Sequence, residues 1–329
     1  MTDAPVLEIS VVIPVYRGAR TLRTVVEELE PFTSPTTTPD GHVFRVTEVV
    51  TVWDNGPDQS DAAIEELAAQ HPWVRPVWLS RNFGQHPATV AGIAATRAAW
   101  VVTMDEDGQH DPAAIADLLD TAFRESAALV YATPTNPPPH SAFRNWASSV
   151  TKGAVLRWLT GPASVPFHSL RLIHGEHARA VAAYCGPGVY LDIALSWIIG
   201  AVATCPVRLR TEGRAAEGYS LRRLVSHFWR LVLSSGNRPL RLVSGLGVVT
   251  AALGLVFAAV LIIGRLTGHV EVEGWTSLIV VVLLIGGLTL LALGVIAEYV
   301  GLAAGMSMGR PLYVATSDAF SRVRRVGRP

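Results

Sequence analysis

The chain has 329 residues, of which 50% are hydrophobic and only 16% are charged, below the roughly 25% charged residues of an ordinary soluble domain. Its 27 basic and 27 acidic residues balance to a formal net charge of zero, which argues against a general nucleic-acid-binding protein. The two cysteines, Cys185 and Cys205, lie outside any metal-binding spacing, so no zinc site is indicated. A disulfide between them would be unusual in a domain that faces the cytoplasm.

The first 131 residues alternate short apolar runs with segments of helical spacing. Five apolar runs predict strands, over residues 9–14, 46–53, 74–79, 100–104 and 128–131. The segments between them predict helices, over residues 20–30, 61–70, 88–98 and 112–123. This alternation indicates an α/β fold with a mainly parallel, Rossmann-like sheet covered on both faces. Ligands on such sheets bind at the carboxyl ends of the strands, which here are followed by loops after Ile13, Trp53, Leu79 and Met104.

Two long apolar segments lie near the C-terminus. Residues 242–264 and 275–297 contain no charged residue, and each is long enough to cross about 30 Å of hydrocarbon as a helix. The arginines flank the pair on its outer sides, at positions 238, 241, 310, 322, 324 and 325. The positive-inside rule therefore predicts a multi-pass protein of the plasma (inner) membrane with both termini in the cytoplasm. The N-terminus lacks a basic segment followed by an apolar one, so no signal peptide is predicted.

The stretch before the first apolar segment interleaves arginines with large apolar residues. Such a mixture is typical of a helix that lies in the membrane interface, and an ordinary surface helix is the alternative. The sequence thus predicts four parts. They are an α/β domain over residues 1–217, an amphipathic juxtamembrane helix over 218–238, a two-helix transmembrane hairpin over 239–303 and a cytoplasmic tail over 304–329.

The most informative polar residues follow the fourth predicted strand. Asp105 and Asp107 are two residues apart, so in an extended chain they point the same way. Two neighbouring carboxylates repel each other unless a cation lies between them. Mg²⁺ takes one or two carboxylates together with phosphate oxygens, and Gln109 could supply a further oxygen. The pattern predicts a metal and phosphate site formed by Asp105, Asp107 and Gln109.

Four segments at predicted strand ends carry a family resemblance, namely Ile13-Pro14-Val15-Tyr16, Asp54-Asn55-Gly56, Arg81-Asn82-Phe83-Gly84 and Asp105-Glu106-Asp107-Gly108-Gln109-His110-Asp111-Pro112. In this order they resemble the motif series of the large inverting glycosyltransferase family 2, which has the GT-A fold. The two apolar segments and the tail, with Ala297-Glu298-Tyr299-Val300-Gly301 and Gly309-Arg310-Pro311-Leu312-Tyr313, are similar to the polyprenyl-phosphate glycosyltransferases. That group includes dolichol-phosphate mannose synthase and the bacterial undecaprenyl-phosphate sugar transferases.

The resemblance implies roles for the donor side of the site. Pro14 and Tyr16 would line the nucleotide pocket, Asp54 would hydrogen-bond the base, and Arg81 would contact the nucleotide or its phosphates. Asp105 would bind the nucleotide-sugar, and together with Asp107 and Gln109 it would hold Mg²⁺ or Mn²⁺. The nucleotide-sugar and a membrane polyprenyl phosphate are the expected partners, and the resemblance also implies a homo-oligomer, a tetramer in relatives.

The resemblance implies further roles on the acceptor side. Arg171, in Ser169-Leu170-Arg171, would hold the lipid phosphate, although relatives carry an aromatic residue where this chain has Leu170. Asp192 matches a recurring Leu-Asp pair and would orient acceptor or sugar, or cap the following helix. Arg210 and Arg214 would contact the lipid phosphate, and the spacing leaves open which of them does so. The expected catalytic residues are Asp107, Arg171 and Asp192.

A phosphate acceptor simplifies the expected chemistry. A phosphate monoester has a second pKa near roughly 6 and is already largely anionic at neutral pH, so no general base is required. Two alternatives remain. A synthase that transfers to another lipid or glycan acceptor usually carries a Gln-x-x-Arg-Trp motif, which this chain lacks. A catalytically inactive membrane scaffold or partner subunit would have no need of Asp105, Asp107 and Gln109.

Overall fold

The computed structural model of the protein describes residues 5–136, 167–210, 238–267 and 274–317. These residues fall into two compact units. The first unit holds the described residues up to 210 together with 311–317, and the second holds the described residues from 238 to 310. The predicted juxtamembrane helix over 218–238 lies almost wholly outside the described residues.

The first unit is built on one sheet, which has nine strands within the described residues. They are β1 Leu7–Val15, β2 Thr36–Thr37, β3 Val43–Trp53, β4 Val74–Leu79, β5 Trp100–Thr103, β6 Leu129–Pro134, β7 Arg171–His174, β8 Val202–Val207 and β9 Ala315–Thr316. Eight of them follow the order β8-β6-β7-β5-β1-β3-β4-β9, and β2 pairs with β3. The mainly parallel sheet predicted from the sequence is confirmed.

The centre of the sheet is parallel. Strand β1 pairs in parallel with β3 and β5, and β3 pairs in parallel with β4. The loops that follow Val15, Trp53, Leu79 and Thr103 therefore meet at the same end of the sheet, which we call the carboxyl end. Strand β7 runs antiparallel between β5 and β6, so its first residue, Arg171, also lies at the carboxyl end.

Helices cover both faces of this sheet. They are α1 Leu22–Leu29, α2 Ser60–Gln70, α3 Gln85–Ala95, α4 Ala114–Arg124, α5 Gly175–Tyr184 and α6 Leu191–Ile198. Successive side chains of a strand point to opposite faces, and accordingly Val11 belongs to one buried apolar cluster while Val12 belongs to the other. Gly92 lets α3 approach closely, because a Cβ there would lie 2.4 Å from a methyl carbon of Val12.

The opposite end of the sheet, which we call the amino end, contains a buried carboxylate with several partners. Glu48 is 4% exposed and accepts hydrogen bonds from the Ser10 hydroxyl at 2.7 Å and the Arg97 N–H at 2.7 Å. The Arg75 guanidinium forms an ion pair with it. Burial alone would raise the pKa of Glu48, but the hydrogen bonds from Ser10, Arg75 and Arg97 lower it below its usual value.

The second unit consists of two long helices, α7 Arg238–Leu266 and α8 Trp275–Ser307. At 1.5 Å per residue they are about 43 and 50 Å long. Among the described residues, Leu284–Ser307 is the one helical span that is long and apolar enough to cross a membrane, and Val243–Phe257 is a shorter apolar stretch. Both predicted transmembrane segments are thus helical, but the first is not confirmed as a membrane span. Large apolar side chains are exposed on both helices, as at Leu253 and Leu290.

The chain returns to the sheet after these helices. Strand β9 pairs antiparallel with the last two residues of β4, Trp78 and Leu79. The sequence predicted a cytoplasmic tail from residue 304 onward, whereas α8 continues to Ser307 and residues 311–317 belong to the sheet unit. A two-residue strand has no periodicity of its own, so only its pairing with β4 reveals it.

Other differences from the sequence-based prediction are local. Helix α3 begins at Gln85, three residues before the predicted start, and the N–H groups of the two preceding residues bind the carboxylate of Asp54. Strands β7 and β8 and helices α5 and α6 lie in a stretch whose residues show no clear strand or helix periodicity. Both cysteines are buried and free, so they form no disulfide.

Candidate active site

Asp105 is held from two sides at the carboxyl end of β5. Its Oδ1 accepts a hydrogen bond from the Gln85 side-chain amide at 2.7 Å, and its Oδ2 accepts one from the Ser169 hydroxyl at 2.6 Å. Its own N–H donates to Nδ1 of the buried His110 at 3.1 Å. These partners come from α3, from the residues before β7 and from residues 105–111, which we call the acidic loop. The tertiary structure therefore fixes the orientation of this carboxylate.

Asp107 lies two residues further along and interacts electrostatically with Asp105. Its Oδ1 accepts the N–H of Gln109 at 3.1 Å. Burial raises the pKa of Asp107, and the negative charge of Asp105 raises it further. The predicted proximity of the two carboxylates is thus present, and the nearby His110 lowers the pKa of Asp107 less than Asp105 raises it.

The carboxylate oxygens of Asp105 and Asp107 are candidate ligands for a divalent cation. The described residues contain no group of three or more His, Cys, Asp or Glu side chains arranged to hold a metal ion. Mg²⁺ and Mn²⁺ commonly bind through one or two carboxylates and complete their coordination with water and substrate phosphates. Asp105 and Asp107 fit that description, since the electrostatic repulsion between them would be relieved by a cation.

Glu106, between Asp105 and Asp107, ties the acidic loop to the loop after β1. Its carboxylate accepts the N–H groups of Tyr16 at 2.6 Å and Arg17 at 2.9 Å. Burial raises the pKa of Glu106, while these two hydrogen bonds lower it in part. No role was predicted for Glu106 from the sequence. Alternation along an extended chain would have placed it on the opposite side from Asp105 and Asp107.

Asp54 is buried and holds a second loop. It is 3% exposed, and its two oxygens accept the N–H groups of Phe83 at 2.7 Å and Gly84 at 2.8 Å. Burial raises the pKa of Asp54, and the two hydrogen bonds and the charge of Arg81 lower it in part. In this structure Asp54 therefore orients the Arg81-Asn82-Phe83-Gly84 segment, and its predicted contact with a nucleotide base stays a prediction.

The other predicted nucleotide-binding residues lie in or beside the loops that follow β1 and β4. Pro14 is buried within β1, and the Tyr16 side chain is 38% exposed. Gly56 packs against the backbone of Tyr16, since a Cβ there would lie 1.7 Å from the Tyr16 carbonyl oxygen. Arg81 is exposed, and its guanidinium lies over the Phe83 ring at 4.1 Å from the centroid. The structure thus brings Tyr16 and Arg81 to one end of the sheet with polar groups open to a ligand.

Arg171 and Asp192, both predicted to act on the acceptor, meet in a buried ion pair. They are 4% and 6% exposed. The Tyr131 hydroxyl donates to Asp192 at 2.8 Å, and Arg171 Nε donates to the Thr103 hydroxyl at 3.0 Å. Burial lowers the pKa of Arg171. The guanidinium is therefore enclosed by protein partners, and its role as a ligand of a lipid phosphate stays a prediction.

This buried pair connects to the acidic loop through hydrogen bonds. The Thr103 hydroxyl donates to the Ser169 carbonyl at 2.5 Å, and the Ser169 hydroxyl donates to Asp105. Arg171 lies opposite Thr103 on one side and opposite Tyr131 on the other in the two antiparallel strand pairs. The alignment of Thr103, Arg171 and Tyr131 across three strands follows only from the strand register. It could not be predicted from the sequence, and neither could the contact of Ser169 with Asp105.

Arg210 also has protein partners. Its guanidinium pairs with Glu28 at 2.6 Å and Asp111 at 3.1 Å, and its N–H donates to the Gln109 carbonyl at 2.9 Å. It therefore ties the end of the acidic loop to the segment after β8. Arg214, the other predicted phosphate ligand, lies outside the described residues.

Comparisons with known proteins identify the family to which this chain is similar. Residues 10–179 match the model of glycosyl transferase family 2. The chain is 31% identical over 320 residues to an undecaprenyl-phosphate 4-deoxy-4-formamido-L-arabinose transferase of Pseudomonas fluorescens, over 95% of this chain and 90% of that protein. It is 28% identical to the protein of that name from Edwardsiella ictaluri, over 95% of each chain.

Among solved structures, the chain resembles glucosyl-3-phosphoglycerate synthase from Mycobacterium tuberculosis, crystallised with Mn²⁺, UDP-glucose and phosphoglyceric acid. The TM-score is 0.51 at 19% sequence identity, and the likeness covers 70% of this chain and 79% of that one. At this level of identity the likeness concerns the fold. It places the sheet and its covering helices among GT-A-like folds.

Proposed function

Because the chain belongs to glycosyl transferase family 2, we propose that it transfers a sugar from a nucleotide-sugar donor to a membrane polyprenyl phosphate, with inversion at the anomeric carbon. The observation that carries this proposal is the arrangement of side chains at the carboxyl end of the sheet. There the paired carboxylates of Asp105 and Asp107 lie among loops that present Tyr16 and Arg81. The names of the relatives from Pseudomonas fluorescens and Edwardsiella ictaluri support undecaprenyl phosphate as the acceptor.

We assign the donor side to the residues that the geometry brings together. Asp105, Asp107 and the oxygens of Gln109 would hold Mg²⁺ or Mn²⁺, which would neutralise charge on the nucleoside diphosphate as it leaves. The Gln85 amide and the Ser169 hydroxyl fix Asp105 for this task. Arg81 would supply positive charge beside the diphosphate, with its planar guanidinium suited to phosphate oxygens.

The acceptor needs positioning more than activation. A phosphate monoester is largely anionic at neutral pH, so its oxygen can attack the anomeric carbon without a carboxylate base. The proposed enzyme must instead hold two anions close together, which favours cationic groups near the acceptor. Arg171 is the candidate within the described residues. It would have to exchange part of its pairing with Asp192 for a phosphate oxygen, and Asp192 would then orient it.

The path of the chain supports a membrane hairpin with an even number of crossings. Residues up to Arg210 belong to the sheet unit, and β9 returns to pair with β4. A strand that pairs with β4 must lie on the same side of a membrane as β4. The span in α8 would then need a second crossing between residues 210 and 311. We assign that crossing to α7, whose apolar stretch Val243–Phe257 is shorter than the span in α8. The arginines outside the pair favour the cytoplasm for the sheet unit. The proposed location is the inner membrane, as a homo-oligomer.

The direct test uses membranes that contain the full-length protein. Radiolabelled UDP- and dTDP-sugars are incubated with undecaprenyl phosphate, with Mg²⁺ or Mn²⁺ and with EDTA. We expect a metal-dependent, lipid-extractable product that requires the lipid phosphate. Label released only into the aqueous phase, or a lipid product formed equally well in EDTA, would contradict the proposal.

A further inference from the structure

The segment that follows the second long helix is built into the end of the sheet. We call residues 311–317 the returning segment. Ala315 and Thr316 pair with Leu79 and Trp78 at the carboxyl end of β4. The carbonyl of Val314 accepts the N–H of Ser80 at 2.9 Å, which extends the pairing one residue beyond β4.

Apolar contacts add to these hydrogen bonds. Leu312 and Tyr313 are partly buried and pack against the buried cluster that contains Leu79. Phe83 packs against the same cluster. Burial raises the pKa of the Tyr313 hydroxyl. Leu312, Tyr313 and Phe83 therefore pack against the same buried apolar cluster.

The loop that the returning segment contacts is the one that carries Arg81. We call residues 80–84 the Arg81 loop. Ser80 donates its N–H to the returning segment and accepts a hydrogen bond from the Asn55 side-chain amide at 3.2 Å through its carbonyl. At the other end of the loop, Phe83 and Gly84 donate to Asp54. Residues after β3 thus hold the loop at both ends, and the returning segment supplies a further backbone partner at Ser80.

We propose that the returning segment is a positioning element for donor binding, which holds the Arg81 loop in its ligand-competent conformation. This inference rests on the proposed function, since that function gives the Arg81 loop its role toward a nucleotide diphosphate. It links the polypeptide that leaves the membrane hairpin to the donor site, and it gives a purpose to the Gly309-Arg310-Pro311-Leu312-Tyr313 motif. No residue of the segment needs to touch the donor.

The test compares variants of the full-length protein. Tyr313→Ala and Leu312→Ala remove the apolar support, and Tyr313→Phe keeps the ring. Val314→Thr is the matched control, because its side chain is 41% exposed and the carbonyl that binds Ser80 is retained. Amide hydrogen exchange of residues 80–84 is measured without ligand, and the affinities for UDP and for dTDP are measured with MnCl₂.

We expect the two alanine variants to exchange about tenfold faster in the Arg81 loop, as in local unfolding, and to bind UDP at least about fivefold more weakly. Exchange around Glu48 should not change, and Tyr313→Phe and Val314→Thr should behave as wild type. If Tyr313→Ala does not fold, Leu312→Ala, which is the smaller change, tests the inference by itself. The inference is overturned if wild type binds UDP and the folded alanine variants bind it equally well. Failure of the wild type to bind either UDP or dTDP would instead count against the proposed function.

Discussion

The two ends of the sheet treat buried carboxylates in opposite ways. At the amino end, Glu48 is surrounded by donors, and its pKa is lowered despite burial. At the carboxyl end, the pKa values of Asp54, Glu106 and Asp107 are all raised, with burial as the largest cause. The protein thus satisfies the charge of Glu48 at one end and leaves the charges of Asp54, Glu106 and Asp107 at the other only partly compensated.

This difference suggests that the carboxylate at the amino end contributes to stability, whereas those at the carboxyl end serve ligand binding. Residues that are optimised for binding a ligand are commonly not optimised for the stability of the free protein. Glu48, in β3, joins β1, the start of β4 and the loop before β5 through Ser10, Arg75 and Arg97. Asp107 accepts the N–H of Gln109 and has a repelling neighbour in Asp105. We therefore expect removal of charge to have opposite consequences at the two ends.

The largest expected effect is at Asp107. Asp107→Asn should lower turnover by about a thousandfold or more, equivalent to about 4 kcal/mol of activation free energy, because the proposed cation loses a charged ligand. The melting temperature without divalent cations should be no lower than that of wild type, since the repulsion from Asp105 is removed. Glu27→Gln, at an exposed position of α1, is the control. Full activity of Asp107→Asn would exclude the metal assignment.

The next effect is at Ser169, whose hydroxyl binds Asp105 Oδ2. Loss of a hydrogen bond that orients a metal ligand typically weakens metal binding by about 10- to 100-fold. We expect Ser169→Ala to weaken Mn²⁺ binding, measured by electron paramagnetic resonance, by an amount in this range. Ser196→Ala, which removes a hydroxyl bound within α6, should leave Mn²⁺ binding unchanged. Equal Mn²⁺ affinity in both variants would mean that Ser169 does not position Asp105.

At the amino end, Glu48→Gln should destabilise the fold without a direct effect on the site. The ion pair with Arg75, whose side chain is 34% exposed, and the charge-assisted hydrogen bonds of Glu48 are weakened or lost, at a cost of roughly 1.5 to 3 kcal/mol in the free energy of unfolding. Chemical denaturation measures this change. Glu8→Gln breaks an exposed pair with Arg45 on the neighbouring strand and should cost less than about 1 kcal/mol. A larger loss in Glu8→Gln would contradict the special role of Glu48.

The smallest effect is a dependence on pH. The folded-state pKa of Glu48 lies below its ordinary value of 4.5, so its contribution to stability is full above about pH 4.5 and is lost as the pH falls through the folded value. The difference in unfolding free energy between wild type and Glu48→Gln should therefore shrink in acid. The raised pKa of Asp54 has the opposite sign, because its charged form is disfavoured in the fold. A difference that stays constant down to about pH 3 would contradict this account of Glu48.

Some features of the site followed from local sequence alone. The strand before Asp105 is apolar on both faces, and the alternation of strands and helices set the parallel order of β1, β3, β4 and β5. Those two facts were enough to bring the loops after these strands together, because the carboxyl ends of parallel strands meet. Local sequence could not show the partners of Asp105, since Gln85 and Ser169 lie 20 and 64 positions away.

The sequence by itself determined the α/β class, the acidic pair at the end of β5 and the apolar character of the two long helices, because each depends on periodicity or on a short run of residues. Tertiary structure alone decided which carboxylates are satisfied, that Arg171 faces Asp192 in the interior, and that residues 315–316 complete the sheet beside the Arg81 loop. These depend on strand register and on contacts between distant segments, which no local pattern encodes.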